Sequence, residues 1–162
     1  MVEPMSSPQP TTAAQDADRS AIEDIVRTFF AAFTSGPDST TRLDALRELF
    51  LPGAVIVKTC GGEPTVYGVD GFIAPRQALL AGGTLTDFRE WALPGRTEVF
   101  GDIAHHFCAY AKSGTQHGVA FTGRGMKTIQ FVRTGAGWRI SAAAWDDERD
   151  GLTIADSWTS PS

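Results

Sequence analysis

The residues of this sequence best suited to acid–base chemistry lie in two alternating segments of its second half. His106 and Asp146 are the candidate catalytic residues. An apolar pocket shifts the pKa of an imidazole or a carboxyl group and so prepares it for proton transfer. If the Asp146 side chain turns inward it can act as a general base, or it can pair with Arg124 or Arg76. Tyr110 can donate a hydrogen bond to a ligand from the same pocket.

The candidate ligand-binding residues follow from alternation along predicted strands. Successive strand side chains point to opposite faces, so alternate residues line one surface. One face of the segment after Asp102 mixes small, apolar and hydrogen-bonding groups, as a specific pocket wall does; it comprises Ala104, His106, Cys108, Tyr110 and Lys112. The other face is more uniformly apolar. We expect Tyr110, His106, Trp145, Arg124 and Lys58 to contact the ligand.

Alternation along the last predicted strand does not decide which of its two faces lines the pocket. Uninterrupted alternation places Arg139, Ser141, Ala143, Trp145 and Asp147 on one face. It places Trp138, Ile140, Ala142, Ala144 and Asp146 on the other. The Trp145 indole can stack on a flat ligand if its face is the inner one.

Sequence signatures of metal, phosphate and serine-nucleophile sites are missing. His105 and His106 are adjacent and point to opposite faces of a strand, and no Cys/His metal spacing occurs. Gly123–Gly125 lies in strand pattern and lacks the spacing of a phosphate loop. No Gly-x-Ser-x-Gly motif is present. We therefore expect no metal and no cofactor.

Charge and cysteine content narrow the class of partner and the compartment. The net charge is −5 and Lys and Arg do not cluster, which argues against nucleic acid and anionic membrane surfaces. The N-terminal residues have no signal-peptide pattern, and apolar runs such as Ala54–Val57 are far shorter than a membrane span. Cys60 and Cys108 are too few for a disulfide framework. We expect a cytoplasmic protein.

Three helices and two short strands are predicted in the first half. The first helix begins at a capping box, Ser20–Glu23, and ends at Gly36. Its single apolar face comprises Ile22, Ile25, Val26, Phe29, Phe30 and Phe33. A short helix from Thr40, strands at 54–60 and 65–67, and a third helix follow. Asp70 can cap that helix, but Pro75 means that it is kinked or begins near the proline.

Long strands are predicted in the second half, at 88–100, 103–112, 119–133 and 138–145. A bulge or bend is expected at Pro94-Gly95. This order predicts an α+β domain over residues 18–151, with helices on one face of a curved antiparallel sheet. Residues 1–17 are predicted to be a disordered tail. Residues 152–162 are predicted to be a C-terminal tail, of which Trp158 could dock onto the domain.

The order of these elements resembles the nuclear transport factor 2-like (NTF2-like) superfamily. The resemblance is strongest in Gly125–Thr134, Gly137–Ile140 and Trp145–Glu148, which look like the last two strands of SnoaL-like bacterial members. Phe72–Arg76 and Val99–Ala104 match the same group. The resemblance implies a cone-shaped, cystatin-like α+β fold with a pocket between sheet and helices. It also implies a homodimer formed through the outer sheet face.

Three functions remain open at this point, because the superfamily shares a fold and not a reaction. The first is a domain that binds a small hydrophobic, cyclic or aromatic molecule in an apolar pocket. The second is a cofactor-independent isomerase, cyclase or dehydratase that uses His/Asp acid–base chemistry. The third is a protein-interaction module with a vestigial pocket.

Overall fold

The first helix carries the apolar stripe that the sequence predicts. In a computed structural model, which describes residues 12–160, the elements are α1 (Thr12–Ala32), α2 (Ser39–Arg47), β1 (Phe50–Lys58), β2 (Thr65–Tyr67), α3 (Val69–Ala81), β3 (Leu85–Phe100), β4 (Ile103–Gln116), β5 (Val119–Thr134), β6 (Gly137–Asp147) and a short 3-10 helix, η1 (Asp156–Trp158). Ile22, Val26, Phe29, Phe30 and Phe33 are all buried.

α1 begins eight residues before the predicted capping box at Ser20. The Asp18 carboxylate accepts two hydrogen bonds of 2.8 Å from the Arg133 guanidinium of β5. This contact ties the first turns of the helix to the sheet. Residues 12–17 belong to this helix, so the prediction that they are disordered is wrong. Residues 1–11 of the predicted tail lie outside the described residues.

The sheet has six strands in the order β2-β1-β6-β5-β4-β3. Its neighbours are antiparallel except for β1 and β6, which run parallel, so the sheet is mixed where an antiparallel sheet was predicted. The three α-helices cover its inner face, and the apolar core lies between the two layers. The α+β fold class and its curved sheet are as the sequence indicates.

β3 bends at the predicted position. Its register against β4 shifts between Ala92 and Gly95. A Cβ atom on Gly95 would lie 2.6 Å from both the Cβ of Cys108 and the Nε2 of His106. The glycine therefore allows the bent strand to cross closely over β4.

A bulge in β6 corrects the predicted faces of the last strand. Gln130 pairs with Ala142 but Phe131 pairs with Ile140, so Ser141 is an extra residue. One extra residue moves every later side chain to the opposite face. Ile140 and Ala143 are both buried as a result, and the inner face comprises Trp138, Ile140, Ala143, Trp145 and Asp147.

The C-terminal segment folds back onto the outer face of the sheet. Ile154 is buried, and its backbone N–H donates to Glu148. The Trp158 ring meets the Phe107 ring edge-on, with centroids 5.0 Å apart, and the Arg96 guanidinium lies 4.3 Å above the indole. The predicted C-terminal tail is therefore packed on the sheet up to residue 160, and Trp158 docks there.

Candidate functional site

A cavity of about 360 Å³ lies between α3 and the inner face of the sheet. About half of its wall is aromatic and aliphatic: Phe33, Phe72, Leu79, Leu80, Leu85, Phe88, Phe121 and Trp145. Six ionisable side chains interrupt this wall: Lys58, Arg76, Glu90, Lys112, Lys127 and Asp147. The volume is at the lower end of the range for small-molecule sites.

Lys127 is the most deeply buried charged residue of this wall. Its position on β5 alternates with the buried Ile129, and only 4% of its side chain is exposed. The ammonium lies 4.5 Å from the ring centroid of Phe29 and 5.3 Å from that of Trp145. Its ion pair with Glu90 Oε2 spans 3.8 Å, longer than a hydrogen bond. The aromatic faces therefore supply much of the attraction that the charge receives.

The pKa of Lys127 lies below its usual range. Burial in the apolar wall is the main cause, because it disfavours the charged form. Glu90 opposes this effect, while the positive charges of Arg76 and Lys112 add to it. All three of these cations line the same cavity.

Asp147 forms the centre of a hydrogen-bonded cluster at the end of β6. It accepts a hydrogen bond from the Tyr110 hydroxyl, one of 3.2 Å from Lys112 Nζ and one of 3.4 Å from Cys60 Sγ. Burial raises the pKa of Asp147, but the bonds from Tyr110 and Lys112 outweigh it and hold the pKa below its usual value. A Cβ on Gly125 would lie 2.3 Å from the Tyr110 hydroxyl, so only glycine leaves room for the phenol.

Two of the donors to Asp147, Tyr110 and Cys60, are held in their neutral forms. Burial raises the pKa of Tyr110, and the Asp147 carboxylate raises it further. Burial also raises the pKa of the Cys60 thiol, with a second contribution from the Asp147 charge. Tyr110 and Cys60 therefore act here as hydrogen-bond donors, which is the role that Asp147 stabilises in each.

Arg76 reaches the cavity from α3. Its Nη1 donates to the carbonyl oxygen of Phe72, one helical turn earlier, at 3.0 Å. The guanidinium lies 4.1 Å from the centroid of the Phe72 ring, 5.3 Å from that of Tyr67 and 5.5 Å from that of Trp145. Burial lowers the pKa of Arg76. These ring contacts hold the guanidinium against the aromatic wall, where its charge borders the cavity.

The structure separates the residues that the sequence grouped as candidate ligand contacts. Trp145 and Lys58 line the cavity. Tyr110 lies behind this wall, where it reaches the cavity through Asp147. Arg124 is exposed and makes a bidentate pair with Glu148, at 3.0 and 3.1 Å, away from the cavity wall.

The two candidate catalytic residues are not brought together. His106 is buried on the inner face of β4, outside the cavity wall, with its Nδ1 2.7 Å from the Thr97 hydroxyl. Burial lowers the pKa of His106, and the neighbouring His105 adds to this effect. Asp146 points to the outer side of β6 and pairs with Arg149 at 2.5 Å, and not with Arg124 or Arg76 as predicted. Its role as a general base remains a prediction.

Lys127, Glu90 and Asp147 are site residues that the sequence reasoning did not identify. The signal for Lys127 is present: it alternates with Ile129 and Phe131, both apolar, in a predicted strand. A lysine in register with a buried row is a candidate for a functional cation. Within residues 12–160, no group of three or more His, Cys, Asp or Glu side chains could hold a metal ion.

No family model and no curated protein sequence matches the chain. Solved structures do match it. An NTF2-like protein with a cystatin-like fold from Novosphingobium aromaticivorans is 20% identical, with 93% of this chain and 98% of that chain covered and a TM-score of 0.61. The chain has the NTF2-like fold.

Two further structures share this NTF2-like fold. A hexachlorocyclohexane dehydrochlorinase, LinA type 2, is 15% identical over 90% of this chain and 97% of that chain, with a TM-score of 0.69. An NTF2-like protein of unknown function from Silicibacter pomeroyi is 22% identical over 86% and 100%, with a TM-score of 0.56. At these identities the likeness concerns the fold alone. Among the helices described, none is long and apolar enough to cross a membrane.

Proposed function

We propose that this protein binds a small cyclic or aromatic molecule in the cavity beneath α3. The observation that carries the proposal is the wall itself, in which Phe72, Phe88, Phe121 and Trp145 surround a space of about 360 Å³. Flat aromatic surfaces favour ring compounds, while the polar side chains between them fix orientation. The acid–base alternative receives no support from the placement of His106 and Asp146 in this arrangement.

Binding can be tested by thermal unfolding in the presence of a panel of hydrophobic ring compounds. A ligand that binds only the folded state, at about 100 times its dissociation constant, adds about 2.7 kcal/mol to the free energy of unfolding. The variant Leu79→Trp fills the cavity from a half-exposed position and is expected to abolish the shift. Leu152→Trp, at a similarly exposed leucine outside the cavity, is the matched control. Equal shifts in both variants would contradict the proposed site.

We also propose a homodimer formed through the outer face of the sheet. The support is the exposure of large apolar side chains there: Phe100 is 81% exposed and Ile103 is 59% exposed. Exposed apolar surface of this kind is typical of an interaction site. The double variant Phe100→Glu/Ile103→Glu is expected to be monomeric in light scattering, whereas the parent chain has twice the monomer mass. A monomeric parent at micromolar concentration would refute the dimer.

A cytoplasmic location and a place among SnoaL-like proteins complete the proposal. Cys60 and Cys108 are both free thiols, which suits a reducing compartment. Fractionation of the source cells, followed by detection of the protein, tests the location. The SnoaL-like grouping rests on the strand motifs from Gly125 to Glu148.

A further inference from the structure

The cavity contains more positive than negative charge. Four cations line it, Lys58, Arg76, Lys112 and Lys127, against two carboxylates, Glu90 and Asp147. Its formal charge is therefore +2 when all six groups are ionised, although the whole chain carries −5. An excess of one sign in a partly enclosed cavity focuses the field onto whatever enters it.

The two carboxylates do not neutralise all four cations. Asp147 pairs with Lys112 at 3.2 Å, and Glu90 lies 3.8 Å from Lys127. Among residues 12–160, no carboxylate lies within 4.0 Å of the charged nitrogens of Lys58 or Arg76. Glu90 is thus the carboxylate nearest to Lys127 among residues 12–160, and it lies beyond hydrogen-bond distance.

Arg76 and Lys127 border the same space. The Arg76 guanidinium lies 5.5 Å and the Lys127 ammonium 5.3 Å from the centroid of one ring, Trp145. Both side chains line the cavity, and their charges repel each other. Like charges around a poorly solvated space are unfavourable on their own, and an anion that enters this space relieves the repulsion.

We propose that the ligand of this cavity is a planar ring compound that carries a carboxylate, with the carboxylate held between Arg76 and Lys127. This inference rests on the proposed ligand-binding function and narrows it to one chemical class. The guanidinium can donate two parallel hydrogen bonds to a carboxylate, and the ammonium supplies a point charge. The ring then packs against the aromatic wall formed by Phe72, Phe88 and Phe121.

The test compares two probes of nearly equal shape by isothermal titration calorimetry. These are 2-naphthoate, which carries the carboxylate, and 2-naphthamide, which is neutral. We expect naphthoate to bind the parent protein at least tenfold more tightly than the amide, and we expect this preference to weaken with added salt. Arg76→Gln and Lys127→Met should each remove most of the preference, measured in each variant as the ratio of its dissociation constants for the amide and for naphthoate.

Two controls separate charge from packing. Arg76→Lys keeps the charge but not the planar fork, so it should retain part of the preference. Arg124→Gln removes an exposed arginine away from the cavity and should change neither affinity. If the amide binds as tightly as naphthoate, the carboxylate inference is refuted while the aromatic pocket stands. If neither probe binds, the carboxylate inference is refuted, and the panel of ring compounds decides the ligand-binding proposal separately.

Discussion

The hydrogen bond from Tyr110 to Asp147 gives the sharpest test of how the cavity wall is built. Tyr110 is 1% exposed, so Tyr110→Phe removes a buried hydroxyl and leaves the ring packing in place. A hydrogen bond to a charged partner contributes about 1.5–3 kcal/mol. Asp147 keeps Lys112 and Cys60 as donors and is 28% exposed to water, which reduces the loss. We expect a loss of roughly 1–2 kcal/mol at pH 7.

The pH dependence of this loss identifies its origin. The pKa of folded Asp147 lies below its ordinary 3.8, partly because of the Tyr110 bond. A lowered carboxyl pKa stabilises the fold above the unfolded value, and this contribution disappears as the pH falls through the folded value. In Tyr110→Phe the pKa moves back towards 3.8. The difference in stability between parent and variant should therefore be constant from pH 7 to about 5 and shrink below the ordinary pKa.

Urea unfolding at pH 7, 5 and 3.5 measures this difference, and a double-mutant cycle with Asp147→Asn isolates the pair. For a chain of this size, roughly 1–2 kcal/mol corresponds to a shift of a few degrees in the unfolding midpoint. Tyr67→Phe removes the other phenol hydroxyl of the chain and should show no such pH dependence. A coupling energy near zero, or a difference that is the same at all three pH values, would refute the reasoning.

Three further perturbations probe the packing around the cavity. Gly125→Ala should lower the free energy of unfolding by about 1–3 kcal/mol through overpacking, whereas Gly83→Ala, with nothing within 4 Å of its added Cβ, should cost little in the same urea titration. Phe29→Ala removes a fully buried ring and should cost about 3–5 kcal/mol in urea unfolding. Burial lowers the pKa of Lys127, so the unfolded chain binds more protons than the folded chain as the pH approaches 10.5. The stability of the parent should therefore rise with pH relative to that of Lys127→Met, as measured by thermal unfolding at pH 7 and 9. The same pH dependence in both proteins would contradict this.

The fold could be predicted from the sequence wherever the apolar residues follow a single helical or strand period. The stripe from Ile22 to Phe33 and the long alternating strands identify their own buried faces, and the Pro94-Gly95 bend carries its own signal. The β6 bulge at Ser141 could not be predicted in this way, because no glycine or proline marks it in the sequence. It follows from the register against β5, which depends on the whole sheet. Because Ser141 is an extra residue in β6, Trp145 lies on the same face as Ile140.

The site was harder to predict than the fold, because its charged groups occupy positions that look structural in the sequence. His106 attracted attention as the residue type most often used in proton transfer, yet its partner is Thr97 and it lies outside the cavity wall. Lys127 was not predicted to be a site residue, because lysines are usually exposed. Its buried row only becomes a cavity wall once α3 brings Arg76 over the same side of the sheet.

The burial of Lys127 is better explained by ligand binding than by stability. Isolating an ammonium in an aromatic wall costs free energy, and an ion pair of 3.8 Å with Glu90 recovers only part of it. An apolar residue such as methionine would fill the same space among the rings of Phe29 and Trp145 without that cost. If Lys127→Met proves as stable as the parent at pH 7 or more so, while the preference for naphthoate is lost, then the charge serves the ligand and not the fold.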